Sequence, residues 1–207
     1  MTDDTAAETA AHWKQWIVDG DARGHVLPKH DFRGPKERNY NLKNAKVRKF
    51  LQWERQTFGI NLGWTDDAEP ETAKKVARWF FARAGASNEP IKYGEQIAIG
   101  NGNDPSFIYY NHRDIGINLS YSTSPVFEWQ LLGGPLNTPV KTGEWLAVFN
   151  ERSEGGEPLL FFDRTRGGDI GWPSSRTWSD QAKKMAIRAA KDAAIAYLRA
   201  QASGGGR

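Results

Sequence analysis

Two loops of this chain carry residue types that can hold ions. Residues 100–104, GNGND, alternate oxygen-bearing side chains with glycine, as calcium loops do, but they lack the bidentate Glu and the number of ligands that calcium needs. Arg164 and Arg166 precede Gly167 and Gly168 in a basic segment that could bind phosphate or sulfate. A plain turn and a solvated hairpin tip are the preferred interpretations, so we expect no metal site and no cofactor.

The sequence offers little support for enzymatic chemistry. The absence of cysteine excludes thiolate nucleophiles, thiolate metal sites and disulfides. None of the motifs G-x-S-x-G, H-E-x-x-H or the Walker loop occurs. A hydrolase built on carboxylates that only the fold brings together stays open, although no spacing favours it. The histidines show no spacing typical of metal ligands; they are His12, His25, His30 and His112. A protein that is not an enzyme is the preferred reading.

Length and charge indicate one ordinary domain with appendages. The chain has 207 residues, with 28 Lys and Arg against 25 Asp and Glu, which gives a formal net charge of +3. That excess is too small to predict a nucleic-acid interface and fits a balanced surface better. The N-terminus lacks the apolar segment of a signal peptide, and no run of about 18 apolar residues occurs. We therefore expect a soluble protein, with the cytoplasm favoured.

An internal repeat supplies the elements that would position any site. Residues 50–65, FLQWERQTFGINLGWT, align without a gap with residues 107–122, FIYYNHRDIGINLSYS, and more weakly with residues 159–173, LLFFDRTRGGDIGWP. Each unit predicts four short strands. Ile60 and Leu62, for example, show the period of two that is expected of a half-buried strand.

Three sets of equivalent residues are expected to stabilise the repeat. The first strands end in asparagines that should cap the following turns; these are Asn44, Asn101 and Asn150. The third strands carry polar residues that should hydrogen-bond the hairpin backbone; these are Asn61, Asn118 and Asp169. The fourth strands carry tryptophans that should lie in the core; these are Trp79, Trp129 and Trp178.

Three such units need a shared core, because one unit of four short strands cannot bury its apolar face alone. Three blades are too few for a propeller, whereas closure of the sheet removes its exposed edges. Over residues 38–179 the layout resembles the β-trefoil, an all-β fold in which three hairpins cap a six-stranded barrel. Helical spacing of apolar residues also predicts helices at both ends, the first at residues 5–18. The predicted organisation is an N-terminal helix and connection at 1–37, the trefoil at 38–179, a C-terminal helix at 180–202 and a flexible tail at 203–207.

Within that fold the layout is similar to ricin-B-like lectins, which place a polar residue after the second strand and an aromatic residue at the end of the third. The matching pairs are Asp163 with Trp172, Glu54 with Trp64, and Asn111 with Tyr121. Ala77, Phe127 and Arg176 stand where the Q-x-W motif of those lectins has Gln. In such a site the aromatic ring packs on the C–H face of a sugar while the polar group binds its hydroxyls. The resemblance thus implies carbohydrate binding, with Asp163 and Trp172 as the strongest pair.

Two functions follow from this interpretation. The first is a non-enzymatic, lectin-like protein that binds glycans weakly at several repeated sites. The alternative is a protein-binding trefoil, such as an inhibitor, a toxin subunit or a scaffold. An insertion near residues 66–75 and the terminal helices break the symmetry of the repeat, and asymmetry favours a single protein partner.

Overall fold

The computed structural model describes residues 11–19, 40–56, 60–65, 78–84, 89–102, 106–113, 117–153, 156–161, 170–172 and 196. Its strands are β1 (Trp16–Asp19), β2 (Asn41–Asn44), β3 (Phe50–Trp53), β4 (Leu62–Trp64), β5 (Trp79–Arg83), β6 (Ile97–Asn101), β7 (Ser106–Tyr110), β8 (Leu119–Ser122), β9 (Trp129–Leu132), β10 (Trp145–Asn150), β11 (Glu157–Pro158), β12 (Leu160–Phe161) and β13 (Ile170–Gly171). Residues 11–13 form a helical turn in front of β1. The architecture of the described residues is therefore all-β.

The main sheet is antiparallel and curled into a half-barrel. Nine of its strands follow one another in the order β4-β3-β2-β1-β10-β9-β6-β7-β8, while β5 pairs with β6 and β11 pairs with β10. β12 and β13 form a separate two-stranded sheet. A single bridge between Tyr40 and Trp79 also links the start of β2 to β5. β1 lies between β2 and β10, so the N-terminal segment joins two distant parts of the chain.

The prediction of a β-trefoil preceded by an N-terminal helix is wrong. The main sheet is a half-barrel rather than a six-stranded barrel with three hairpin caps. The segment predicted as the N-terminal helix contains β1, in which buried Trp16 and Val18 alternate with half-buried Ile17 and Asp19. Trp13, Trp16 and Ile17 do fit helical spacing. A helix there, however, would leave the facing edges of β2 and β10 without partners for their main-chain groups.

Several other predicted features lie outside the described residues. They include the insertion at 66–75, Trp178 and the C-terminal helix at 180–202, of which the structure describes Ala196 alone, with helical backbone. The division into a domain at 38–179 with flanking segments stays a prediction. The equivalent apolar residues of the three repeat units are buried; they are Leu62, Leu119 and Ile170.

Three fully buried tryptophans join segments that are remote in sequence with the same kind of hydrogen bond. Their Nε1 atoms donate to main-chain carbonyls: Trp79 to Leu51 (2.7 Å), Trp129 to Ile108 (2.8 Å) and Trp16 to Leu159 (2.7 Å). Each bond satisfies a donor that water does not reach. The core positions of Trp79 and Trp129 are confirmed. Trp16 makes the third bond, a contact that the repeat alignment did not predict for the N-terminal segment.

Asn44 and Asn150, each at the end of a strand, accept hydrogen bonds from the turns that follow them, as predicted. Asn44 Oδ1 accepts a hydrogen bond from Lys46 N at 2.9 Å, and Asn150 Oδ1 accepts one from Arg152 N at 2.9 Å. The third-strand asparagines bind the hairpin backbone in the same manner: Asn61 Oδ1 accepts from Gln56 N, and Asn118 Oδ1 accepts from Arg113 N, both at 3.0 Å. These side chains are therefore explained by local structure.

Candidate functional site

The predicted sugar-binding pair of the third repeat unit is described only in part. Asp163 lies outside the described residues, so its pairing with Trp172 stays a prediction. Trp172 is fully buried. Its ring stacks on Trp129, with centroids 6.0 Å apart and planes at 28°, and meets Tyr110 edge-on at 5.8 Å. In this arrangement the Trp172 indole packs in the core and has no face open to a ligand.

The pair of the first repeat unit lies on opposite faces of the β3–β4 hairpin. Trp64 is half-buried and stacks on Trp16, with centroids 6.0 Å apart and planes at 20°. Glu54 is exposed, and its carboxylate lies directly over Gly63. Because successive residues of a strand face opposite sides of the sheet, a carboxylate over Gly63 lies away from the Trp64 indole. The two side chains therefore do not converge on one ligand.

The pair of the second repeat unit is separated by the packing of its aromatic member. The hydroxyl of Tyr121 donates to Asn61 O of another hairpin at 2.9 Å, and its ring packs against the main core. Asn111 is exposed, and its main-chain N–H donates to Asn118 O at 3.2 Å. Packing between hairpins thus accounts for Tyr121, and Asn111 stays a predicted polar contact.

A different aromatic residue faces solvent. Trp145, the first residue of β10, is 45% exposed and is the only large apolar side chain within the described ranges that is classed as exposed. It borders a cleft of about 480 Å³ whose walls also include Asp19, Lys43 and Arg48. That volume falls within the range of small-molecule sites, about 300–1,000 Å³. The cleft is therefore a candidate site on the described surface.

Strand register places the cleft residues side by side. Ile17 of β1 pairs with Lys43 of β2 on one side and with Trp145 of β10 on the other. Directly paired residues of antiparallel strands point to the same face, so these three side chains form a row across the sheet. Lys43 also pairs with Phe50, and its Nζ lies 5.2 Å from the centroid of that ring. This cation–π contact restrains the ammonium group at the end of the row.

The turn after β2 adds a second cation to the cleft. Arg48 has a φ of 60°, in the left-handed region, which costs a residue other than glycine on the order of 1 kcal/mol or more. Asn44 holds this turn: its carbonyl accepts from Arg48 N at 2.9 Å, and its N–H donates to Lys49 O at 3.1 Å. The exposed Arg48 side chain lines the cleft. An arginine thus stands at a backbone position that glycine would adopt more easily.

The backbone in front of Trp145 is anchored at two points. Gly143, with a φ of 81°, donates its N–H to Val18 O at 2.9 Å. The hydroxyl of buried Tyr93 donates to Glu144 Oε2 at 2.7 Å. The pKa of Tyr93 is raised above its usual range. Burial is the largest cause, and the hydrogen bond to the Glu144 carboxylate is the second. The phenol therefore keeps its proton above the pH at which a free tyrosine ionises, and its hydrogen bond fastens the start of β10 to the core.

The sequence interpretation missed Trp145, although the repeat contains a signal for it. Residues 90–96, PIKYGEQ, align with residues 139–145, PVKTGEW. Gln96 occupies the position equivalent to Trp145 and is exposed. Packing does not require a large aromatic residue at a position whose counterpart is polar and exposed. The sequence signal is that Trp145 stands where the aligned segment has the polar residue Gln96, which is atypical of a core position.

Metal chemistry has no support in the part of the chain that the structure describes, which contains no group of three or more His, Asp or Glu side chains able to hold a metal ion. No helix among those residues is long and apolar enough to span a membrane. Comparison with protein-family models finds no match, and comparison with curated proteins finds none either. The geometry of the candidate site is therefore the guide to its ligand.

Proposed function

We propose that this protein binds carbohydrate without catalysing a reaction, and that the cleft beside Trp145 holds a sugar unit. The exposed indole carries the proposal. Nearly half of its surface is open in the wall of a cleft of ligand size. An aromatic ring in that position can pack on the apolar C–H face of a sugar.

The polar groups around the indole complement the hydroxyls of a sugar. A hydroxyl both donates and accepts hydrogen bonds, so a sugar site needs acceptors as well as donors. The carboxylate of Asp19 is an acceptor, and Lys43 and Arg48 are donors; all three line the cleft. The apolar side chain of Ile17 forms its floor between Lys43 and Trp145. The cleft therefore offers both the apolar and the polar contacts that a sugar requires.

Trp145→Gln provides the sharpest test, because Gln is the residue at the equivalent exposed position of the second repeat unit. Wild-type protein would first be screened on a glycan array, and each hit would be titrated by calorimetry. We expect Trp145→Gln to lower the affinity about tenfold or more, which corresponds to about 1.4 kcal/mol of lost apolar contact. Circular dichroism should show an unchanged fold.

Gln96→Trp is the matched control. It places an indole at the equivalent exposed position but away from the cleft, so it should neither create nor strengthen binding. Glu54→Gln and Asn111→Ala test whether the exposed polar members of the pairs predicted from the sequence contribute to binding. Unchanged affinity of folded Trp145→Gln for every positive glycan would show that the cleft is not the site. A protein without any positive glycan would refute carbohydrate binding itself.

A protein partner is the alternative function. Trp and Arg are the residue types that most often dominate the binding energy of protein interfaces, and Trp145 and Arg48 line the same cleft. Affinity purification with wild-type and Trp145→Gln proteins would test this alternative. A partner that is retained by wild type and lost by the variant, together with a negative glycan array, would favour it.

A further inference from the structure

The turn between β2 and β3 makes the cleft basic. Residues 43–49, KNAKVRK, contain four cations and no acidic residue; the cations are Lys43, Lys46, Arg48 and Lys49. None of the four forms an ion pair with another residue that the structure describes. Among the described residues that line the cleft, Lys43 and Arg48 are the cations and Asp19 is the one acid. The described part of the cleft wall therefore carries a net positive charge next to an exposed indole.

The fold places the two cations without a partner carboxylate among the described residues. Lys43 lies over the ring of Phe50, and the main-chain N–H of Arg48, a residue in the left-handed region, donates to Asn44 O. A cation without a fixed counter-ion at the edge of a cleft is free to pair with an anion on a ligand. The planar guanidinium of Arg48 is suited to bidentate binding of a carboxylate or sulfate group.

We infer that the ligand of this cleft is an acidic saccharide, whose rings carry carboxylate or sulfate groups. The inference rests on the proposed carbohydrate function and specifies its ligand. Arg48 and Lys43 pair with the anionic group, Trp145 packs on a ring, and Asp19 accepts hydrogen bonds from hydroxyls. A free inorganic anion uses only the cations. The indole and the carboxylate therefore favour a sugar that bears the charge.

The test uses pairs of oligosaccharides that differ only in charge. Trigalacturonate is compared with its neutral methyl ester, and a heparin hexasaccharide is compared with its fully desulfated, N-acetylated and carboxyl-reduced form, in which acetylation keeps the amino groups neutral. We expect at least one acidic member to bind and its neutral counterpart to bind at least about tenfold more weakly, as expected for the loss of a charged hydrogen bond. Affinity for the acidic member should also fall between about 0.05 M and about 0.5 M NaCl, because salt screens exposed charges.

Variants distinguish a local contact from a general effect of charge. Lys43→Met and Arg48→Gly should each weaken binding of the acidic member about tenfold. Lys46→Met removes the same charge from the same turn, but Lys46 is not among the residues that line the cleft. It should change the affinity less than about twofold, as exposed charges outside a contact contribute little.

Each outcome separates this inference from the proposed function. Equal binding of the neutral and acidic members, with loss on Trp145→Gln, would overturn the acidic ligand and leave carbohydrate binding standing. Binding of neutral glycans outside these pairs, without binding of any acidic oligosaccharide, would also overturn the acidic ligand and leave carbohydrate binding standing. An equal effect of Lys46→Met and Arg48→Gly would show that general attraction, rather than this cleft, recognises the anion. Absence of binding to every glycan would refute both proposals.

Discussion

Gln96 and Trp145 occupy the same position in two turns of the same geometry. Each is the second residue after a glycine with a φ of 81°, Gly94 in one turn and Gly143 in the other. Each side chain is exposed, and each glycine follows a segment that aligns in the repeat. The backbone therefore exposes whatever side chain stands there. A polar residue is unremarkable at such a position, whereas an indole is exposed to water at a cost that a ligand would remove.

Trp145→Gln is expected to change the free energy of unfolding by less than about 0.5 kcal/mol, because exposed side chains away from special backbone geometry contribute little to stability. Urea unfolding followed by fluorescence and circular dichroism would measure this. A large destabilisation would mean that the indole packs in the native state, and that lost binding by the variant cannot be assigned to the cleft.

Trp129→Phe is expected to destabilise the protein by roughly 1–3 kcal/mol, because it removes the buried hydrogen bond from the indole to Ile108 O and part of a fully buried side chain. The smaller ring also leaves space beside Trp172. Urea unfolding would again report the change. Trp145→Phe is the control, since it makes the same substitution at an exposed position. Equal stability of the two variants would contradict the role assigned to the buried indole bonds.

Much of the local structure could be predicted from the sequence, because it depends on neighbours in the chain. The alternation of Ile60 and Leu62, the hairpin contacts of Asn61 and Asn118, and the burial of Trp129 follow from short-range patterns. The N-terminal segment shows the limit of such patterns. Its apolar spacing fits a helix, and only pairing with β2 and β10, both remote in sequence, makes it a strand.

The candidate site was harder to predict, because its parts come from three separate segments. Ile17, Lys43 and Trp145 become neighbours only through the register of β1 between β2 and β10. The resemblance to lectins instead selected aromatic residues on alternating strands, and this periodicity is also what places Trp172 in the core. Aromatic residues at regular apolar positions are first of all core residues, whereas an irregular one such as Trp145 is the better guide to a surface site.

The hydrogen bond from Tyr93 to Glu144 predicts a stability that decreases at high pH. Burial raises the pKa of Tyr93 in the folded protein above its unfolded value of 10.0. The contribution of Tyr93 to the free energy of unfolding is therefore complete below about pH 10. It is lost as pH rises further, because the tyrosine of the unfolded chain ionises while that of the folded protein keeps its proton. Urea unfolding from about pH 8 to about pH 11 should show a steeper fall in wild type than in Tyr93→Phe.

Glu144→Gln separates the two causes of that raised pKa. It removes the carboxylate but leaves Tyr93 buried. Because burial is the larger cause of the raised pKa, part of the dependence of stability on pH should remain. If wild type and Tyr93→Phe lost stability in parallel above pH 10, the Tyr93 phenol would not be the group responsible.

Arg48→Gly tests whether the left-handed turn holds a side chain for binding at some cost in stability. Glycine adopts a φ of 60° without the penalty that arginine incurs, so the free energy of unfolding should stay unchanged or rise by up to about 1 kcal/mol. Arg48→Ala removes the same guanidinium but keeps a Cβ in the left-handed region, so its free energy of unfolding should not rise above that of wild type. Both variants should lose affinity for the acidic oligosaccharide to the same extent, since both lack the guanidinium. An Arg48→Gly protein that unfolds more easily than wild type would show that the arginine stabilises the turn, and its position would then need no ligand to explain it.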